Sequence, residues 1–254
     1  MKSQQQISKA QYQDKSDAYL NSQVHAQGIE FEKMRDCIQQ HQFKHILDLG
    51  CGGGHVSYQV ADLTETTIAY DVTPEMLITV EKTAQKKGLT QIQTQLGVAE
   101  KLPFADQAFD CVISRYSAHH WQHVGYAMQE IYRVLTTTGK VILVDILGNA
   151  QPALDTFLQT IEMIRDPSHV RNYSLAEWMH FAEYASFRVE QIQKQTLNLD
   201  FASWVSRMKT PENHVKTIRA LQMQVAGNVK AYFQIQHDGS FQTDVMYLVL
   251  SKAA

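Results

Sequence analysis

The segment Asp48-Leu49-Gly50-Cys51-Gly52-Gly53-Gly54-His55 constrains the fold of this chain more than any other. It continues the short apolar run His45-Ile46-Leu47-Asp48-Leu49, which reads as a buried strand ended by glycines. Four of the chain's 12 glycines fall within these few positions, more than a plain strand-to-helix turn needs. Glycine adopts positive φ and lets backbone approach a ligand with no Cβ in the way. The helix that follows presents free N–H groups. In an open α/β sheet, a ligand sits beyond the carboxyl end of such a strand, where the strand order reverses.

Spacing narrows the ligand. A dinucleotide fingerprint needs Gly at its first, third and sixth positions. Counted from Gly50 the sixth position is His55, and counted from Gly52 it is Ser57. The Gly-Lys-Ser/Thr ending of a phosphate loop is missing too. An oxidoreductase of the NAD type on a similar sheet is therefore the weaker alternative, beside a binding module without catalysis. Asp71, at the end of a predicted strand over 66–70, lies about 20 residues past the glycines and can accept hydrogen bonds from both hydroxyls of a ribose. Together the two features point to an adenosine site.

The pattern along the chain supports that sheet. Further strands are expected at 91–96, 109–114 and 140–147, alternating with helices at 54–63, 74–87 and 123–135. Thr73-Pro74 is a good helix start and Gly88 a stop. Such alternation gives a parallel sheet with helices on both faces. A helix over 15–40 precedes it. Beyond residue 150 the pattern changes to helices at 152–165 and 174–186, a strand at 187–197, and helices at 201–208 and 212–230. An alternating, antiparallel strand at 242–251 closes the chain after a hairpin turn at His237-Asp238-Gly239-Ser240. We read one domain over 1–254: a helical cap (1–42), a cofactor-binding core (43–150), and a helical insertion with acceptor-side elements (151–235) before the returning strand.

The 254 residues carry a net charge of −3, with Lys86-Lys87 the one adjacent basic pair, so a nucleic-acid partner is not expected. Cys37, Cys51 and Cys111 form no CxxC, and His41/His45 straddle a helix-to-strand junction, so neither a disulfide framework nor a metal site is expected. The first 13 residues lack the apolar core of a signal peptide, and the apolar stretch 141–147 is broken by Asp145 and too short to span a bilayer. A cytoplasmic protein without membrane insertion is the expectation.

Leu47-Asp48-Leu49-Gly50-Cys51-Gly52-Gly53-Gly54, Tyr70-Asp71-Val72-Thr73, Gly97-Val98-Ala99-Glu100-Lys101-Leu102-Pro103-Phe104 and Phe109-Asp110-Cys111-Val112-Ile113-Ser114 resemble, in order and spacing, the motifs of class I S-adenosylmethionine-dependent methyltransferases. The similarity covers about residues 45–147 and is greatest to the small-molecule group that includes the ubiquinone/menaquinone C-methyltransferases. It implies a Rossmann-like α/β fold with a seven-stranded sheet in the order 3-2-1-4-5-7-6, strand 7 antiparallel. It also implies S-adenosyl-L-methionine as cofactor, S-adenosyl-L-homocysteine as product and a small organic acceptor. The cofactor would be held by Asp48, Gly50, Cys51, Gly52 and Gly54, with Asp71 on the ribose and Val72, Met76, Val98, Ala99 and Glu100 around the adenine. Ser114 and Arg115 would serve the methionyl amino end. Val98 departs from the pattern, since many relatives carry Asp there to accept the adenine amino group.

Arg115-Tyr116-Ser117-Ala118-His119-His120-Trp121 lies just past the fourth predicted strand. Displacement at a sulfonium methyl depends mostly on positioning, and a base is needed only where the acceptor must lose a proton. His119 or His120 could serve, and being adjacent they cannot share one direction. The segment is not the Asn/Asp-Pro-Pro-Tyr/Phe signature of nucleic-acid N-methylases, so C- or O-methylation is expected. Tyr19, Ser22 and His25, with Tyr12 before them, suit a lid helix. Tyr116 and Trp178, together with Arg165, His169 and Arg171 as possible partners of an anionic acceptor, are the remaining acceptor-side candidates.

Overall fold

The computed structural model describes residues 3–13 and 28–253. Helix α1 (Gln4–Tyr12) comes first, its start fixed by a reciprocal capping box between Ser3 and Gln6. Helix α2 (Ile29–His41) leads into β1 (His45–Leu49), and the glycine loop opens α3 (His55–Val60). Next come β2 (Thr66–Asp71), α4 (Pro74–Lys87), β3 (Ile92–Leu96) and β4 (Phe109–Arg115). A single 3-10 turn (Ala118–His120) then precedes α5 (Val124–Val134) and β5 (Leu135–Ile146). Helices α6 (Pro152–Arg165) and α7 (Leu175–Tyr184) lead to β6 (Phe187–Leu199). Helices α8 (Phe201–Arg207), α9 (Glu212–Gln224) and α10 (Gly227–Tyr232) separate it from β7 (Phe241–Lys252).

The strands form one sheet in the order β3-β2-β1-β4-β5-β7-β6, with β7 antiparallel to both neighbours, as the motif resemblance implied. Strand alternation sends successive residues to opposite faces. Ile46, Cys111, Ile113, Ile142 and Val144 pack with Met34 and Ile38 of α2 and Phe157 and Ile161 of α6. Leu47, Leu49, Val112, Val141 and Leu143 pack on the other face with Met128 and Ile131 of α5 and Trp178 of α7. Central strands buried on both faces account for the unbroken apolar runs in the sequence.

Several boundaries differ from expectation. The described part of the 15–40 helix begins only at Ile29, and residues 14–27 lie outside the described residues. Helix α1 was not expected from its polar sequence. Strand β5 starts at Leu135, directly from α5, because Leu135 pairs with Phe109. The expected 212–230 helix is two helices, broken where Val225 and Ala226 turn extended before Gly227. The 237–240 turn joins α10 to β7, while the partner of β7 is β6, reached across three helices. Among the described residues, no helix is long and apolar enough to cross a membrane.

Candidate functional site

The strand order reverses between β1 and β4, and the main cavity opens there, at the carboxyl ends of β1, β2 and β4. It holds about 820 Å³ of empty space, part of it open to solvent. Gly50, Gly52, Asp71, Val72, Met76, Val98, Ala99, Glu100 and Tyr116 line it, as does His120.

The glycine loop is set by backbone. Gly50 N and Cys51 N both donate to Tyr70 O, at 2.8 and 3.0 Å. Gly50 has φ +75°, and Ser117 packs against the position its Cβ would take. Gly52, at φ +49°, faces no atom of the described residues within 4 Å of that position. The loop thus leaves an open cradle on the cavity side. Asp71 closes it: one carboxylate oxygen accepts from Gly52 N at 2.9 Å and the other from Thr73 N at 2.8 Å. Burial raises its pKa, against these amide hydrogen bonds. A carboxylate oriented by backbone donors keeps lone pairs for a diol.

Other expected cofactor residues stand behind this surface. Asp48 is buried and takes Ser57 N at 3.0 Å and Ser57 Oγ at 2.6 Å, which anchors the first turn of α3; burial pushes its pKa up to about 7. Cys51, Gly54, Ser114 and Arg115 do not line the cavity. Arg115 reaches back from β4 to Glu30 at the start of α2, forming a buried ion pair at 2.7 Å, and stacks on Phe31 and Tyr116. Glu100 lines the cavity while its carboxylate accepts from Gln122 N and His123 N before α5. Val98 leaves that wall without the acidic side chain, and its carbonyl accepts from the Tyr70 hydroxyl.

A second cavity adjoins the first, and Tyr12, Tyr116 and His120 line both. Its other walls include His119, Ile146, Glu162, Arg165, Asp166, His169, Leu197, Leu199 and Trp204. Tyr116, at this junction, has φ +53°, an uncommon conformation for a bulky residue that recurs at functional sites. The adjacent histidines diverge. His119 Nδ1 lies 2.5 Å from Asp145, whose carboxylate outweighs the effect of burial and raises the imidazole pKa. His120 sits between the cavities; burial, aided by the neighbouring His119, pulls its pKa down to about 4.

The acceptor-side candidates separate. Arg165 and His169 face the second cavity, but Arg165 is held by Glu162 at 3.1 Å and by Trp204 O, and His169 by Gln159. Burial and the two neighbouring histidines pull the His169 pKa down to about 2, so it stays neutral. Arg171 pairs with Asp155 and Glu177 away from both cavities. Trp178 belongs to the core, against Tyr173 and Phe181, which corrects its expected place in an acceptor pocket; Trp204 takes that place. Tyr19 and His25 lie outside the described residues. The lid that is described is α1, whose Gln4, Gln5, Ser8 and Tyr12 cover the main cavity. The Ser3-x-x-Gln6 pattern was its legible signal. Among the described residues no cluster of side chains could hold a metal ion.

Residues 47–143 match a methyltransferase domain family. The chain is 42% identical over 205 residues to the uncharacterized protein YafE of Escherichia coli K12, covering 81% of this chain and 99% of YafE. It is 35% identical over 206 residues to the uncharacterized methyltransferase YcgJ of Bacillus subtilis, covering 80% of each. The crystal structure of YcgJ superposes with a TM-score of 0.84 over 88% of this chain and 98% of that one, at 31% identity. A more distant relative is the ubiquinone/menaquinone biosynthesis C-methyltransferase UbiE of Allorhizobium ampelinum, 26% identical over 64% of this chain and 62% of UbiE. These similarities run well past the glycine loop and the domain core, and by them the chain belongs to a family of methyltransferases.

Proposed function

We propose that this methyltransferase uses S-adenosylmethionine and methylates a small organic acceptor, at carbon or oxygen, by direct displacement. The observation that carries the reading is the pairing of the open cradle at Gly52 with the backbone-oriented carboxylate of Asp71 on one cavity wall. These residues fit a nucleoside thioether better than a dinucleotide, because the loop lacks the third glycine of the pyrophosphate fingerprint. Gly50 and Gly52 would pass beneath the methionyl part and Asp71 would hold the ribose. Val72, Met76, Val98 and Ala99 would surround the base. When bound, the sulfonium supplies an electrophilic methyl group with a neutral thioether as leaving group.

The acceptor would occupy the second cavity, reaching the methyl group past Tyr116 and His120. On its walls Glu162 and Asp166 offset Arg165 and Arg207, and Asp145 pairs with His119, which leaves little net charge to attract a strongly anionic molecule. The residues' own contributions are orientation, exclusion of water by α1, and a neutral imidazole at the junction.

Thermal shift tests the cofactor. Adenosylmethionine and adenosylhomocysteine should raise the melting temperature and NAD should not, with about 2.7 kcal/mol of stabilisation at a hundredfold excess over Kd. Asp71→Ala should weaken binding at least tenfold, matching the loss of hydrogen bonds to a charged group worth about 1.5–3 kcal/mol each. No shift with either sulfur ligand at millimolar concentration refutes the reading.

A further inference from the structure

The junction of the two cavities holds a side-chain cluster whose hydrogen count does not close. His120 Nδ1 lies 3.1 Å from Ser168 O, a carbonyl that can only accept, so Nδ1 carries a hydrogen. Gln4 of the lid donates to the same carbonyl at 2.7 Å. The other ring nitrogen, Nε2, is 2.8 Å from the Tyr12 hydroxyl, which in turn is 3.1 Å from Asp166 Oδ2. The second Asp166 oxygen accepts from Ser168 N at 2.8 Å and Ser168 Oγ at 2.6 Å, so the serine hydrogen is committed there rather than to His120 Nδ1, which lies 3.3 Å from the same hydroxyl.

The Tyr12 hydroxyl has one hydrogen and two acceptors to satisfy. Given to His120, it leaves the Tyr12 oxygen facing a bare carboxylate oxygen. Given to Asp166, it leaves that oxygen facing the lone pair of Nε2. Both contacts close only when the cluster carries one more proton; because Ser168 and Arg165 help hold Asp166 below the usual carboxylate range, that proton belongs on Nε2, so that Nε2–H donates to Tyr12 and Tyr12 donates to Asp166. At rest that proton is disfavoured. The His119 ring lies 4.2 Å away, centroid to centroid, and is the histidine whose charged form Asp145 favours. Burial and this neighbour keep His120 neutral near pH 7, against the opposing pull of Asp166 and Asp145. His169, the remaining imidazole nearby, is neutral, and Arg165 adds positive charge from α6.

We propose that Tyr12, His120 and Asp166 form a receptacle for the acceptor's proton, with Tyr12 a catalytic residue delivered by the lid. The substrate class is then a molecule with a removable hydrogen on the oxygen or carbon to be methylated, such as a phenol, an enol or a carbon acid. Thioethers and tertiary amines, which attack through a lone pair and release no proton, make no use of such a cluster. The inference rests on the methyl-transfer reading above. In the step, the electron pair of the acceptor atom forms the bond to the methyl carbon, and the carbon–sulfur bond breaks with its pair left on sulfur. The acceptor's proton passes to the Tyr12 oxygen as the tyrosine's own proton moves to Nε2. The products are a methylated acceptor, a neutral thioether and an imidazolium linked through Tyr12 to Asp166. Asp166 and Ser168 are positioning residues.

The test is a nitrogen NMR titration of the full chain labelled at histidine, which needs no acceptor. At pH 7 His120 should be the neutral Nδ1–H tautomer. His119→Gln removes the neighbouring positive charge and should move the His120 midpoint up. On that background Tyr12→Phe and Asp166→Asn should each lower the midpoint by about one to two pH units, the equivalent of one hydrogen bond to a charged group. An Nε2–H tautomer at pH 7, or a midpoint that stays or rises in Tyr12→Phe, overturns the proposal. Tyr12→Phe keeps the ring on a half-buried helix face, so this arm does not depend on disturbing the core. Calorimetry with adenosylhomocysteine on the same protein reports the cofactor reading separately: failed binding refutes that reading without altering the titration.

Discussion

Gly50 and Gly52 are two residues apart, share positive φ, and should fail in opposite ways when each is changed to alanine. Gly50→Ala must hold a left-handed conformation at φ +75°, costing about 1–2 kcal/mol. Its new Cβ would also fall 2.5 Å from Ser117 Cβ, far inside van der Waals contact. Ser117 cannot swing freely, because its hydroxyl accepts from Trp121 Nε1 at 3.2 Å. Overpacking of this kind adds about 1–3 kcal/mol, for a total of roughly 2–5 kcal/mol. At about 2–4 °C per kcal/mol for a chain near this size, the melting temperature should fall by roughly 5–15 °C. Gly52→Ala bears the conformational cost, and among the described residues no atom lies within 4 Å of its Cβ position. It should lose no more than roughly 3–8 °C. The space its methyl enters belongs to the cavity mouth, so adenosylhomocysteine binding should drop at least tenfold. Scanning calorimetry gives the first quantity and titration calorimetry the second. Equal melting temperatures for the two variants would refute the account of Ser117, and full affinity in Gly52→Ala would refute the cradle.

Two further outcomes follow from buried charge. Glu30→Ala removes the carboxylate paired with the buried Arg115 guanidinium and should cost up to about 3–5 kcal/mol in urea unfolding, whereas the double change Glu30→Leu with Arg115→Met should regain most of it; a double variant no better than the single one refutes a purely electrostatic loss. Burial pushes Asp48 up to about 7, so the folded chain keeps a proton that the unfolded chain has already released. Stability should therefore fall as pH rises from the usual carboxylate range to about 7 and level off above it. Asp48→Asn keeps an acceptor oxygen for Ser57 and should flatten that slope, and parallel slopes in the two proteins would show that Asp48 does not titrate there.

What could be read from the sequence follows a physical divide. The strands at the centre of the sheet are buried on both faces, so their apolar runs and the punctuation at Gly50, Pro74 and Gly88 mark them clearly. The residues that line the cavity sit at strand ends or just beyond them, which made Asp71, Val98 and Tyr116 locatable by spacing. Asp48 and Arg115 lie beside the same motifs yet turn away, because alternation along a strand decides direction and only the partners, Ser57 and Glu30, show which way each side chain went. Helix α1 was obscured because its polar sequence has no apolar stripe; its capping box marks a start but not where the helix docks. Trp178 and Trp204 are both buried core aromatics, and only tertiary packing brings one of them, Trp204, to the edge of a cavity as well.

The adjacent histidines show how one short turn produces two chemistries. Residues His119 and His120 share a 3-10 turn, and consecutive side chains there cannot point the same way. His119 turns to Asp145 near the end of β5, where a carboxylate at 2.5 Å outweighs burial and raises the imidazole pKa. The His119 ring lies 4.2 Å from the His120 ring, and burial together with this neighbour lowers the pKa of the second imidazole. Two isolated buried histidines would both be driven toward the neutral form by desolvation. The Asp145 partner breaks the symmetry, raising the pKa of one ring while the other stays a neutral acceptor facing the cavities. Asp145 therefore acts on the junction without touching it: removing its charge would let His119 revert toward neutral and so release His120 from its repulsion.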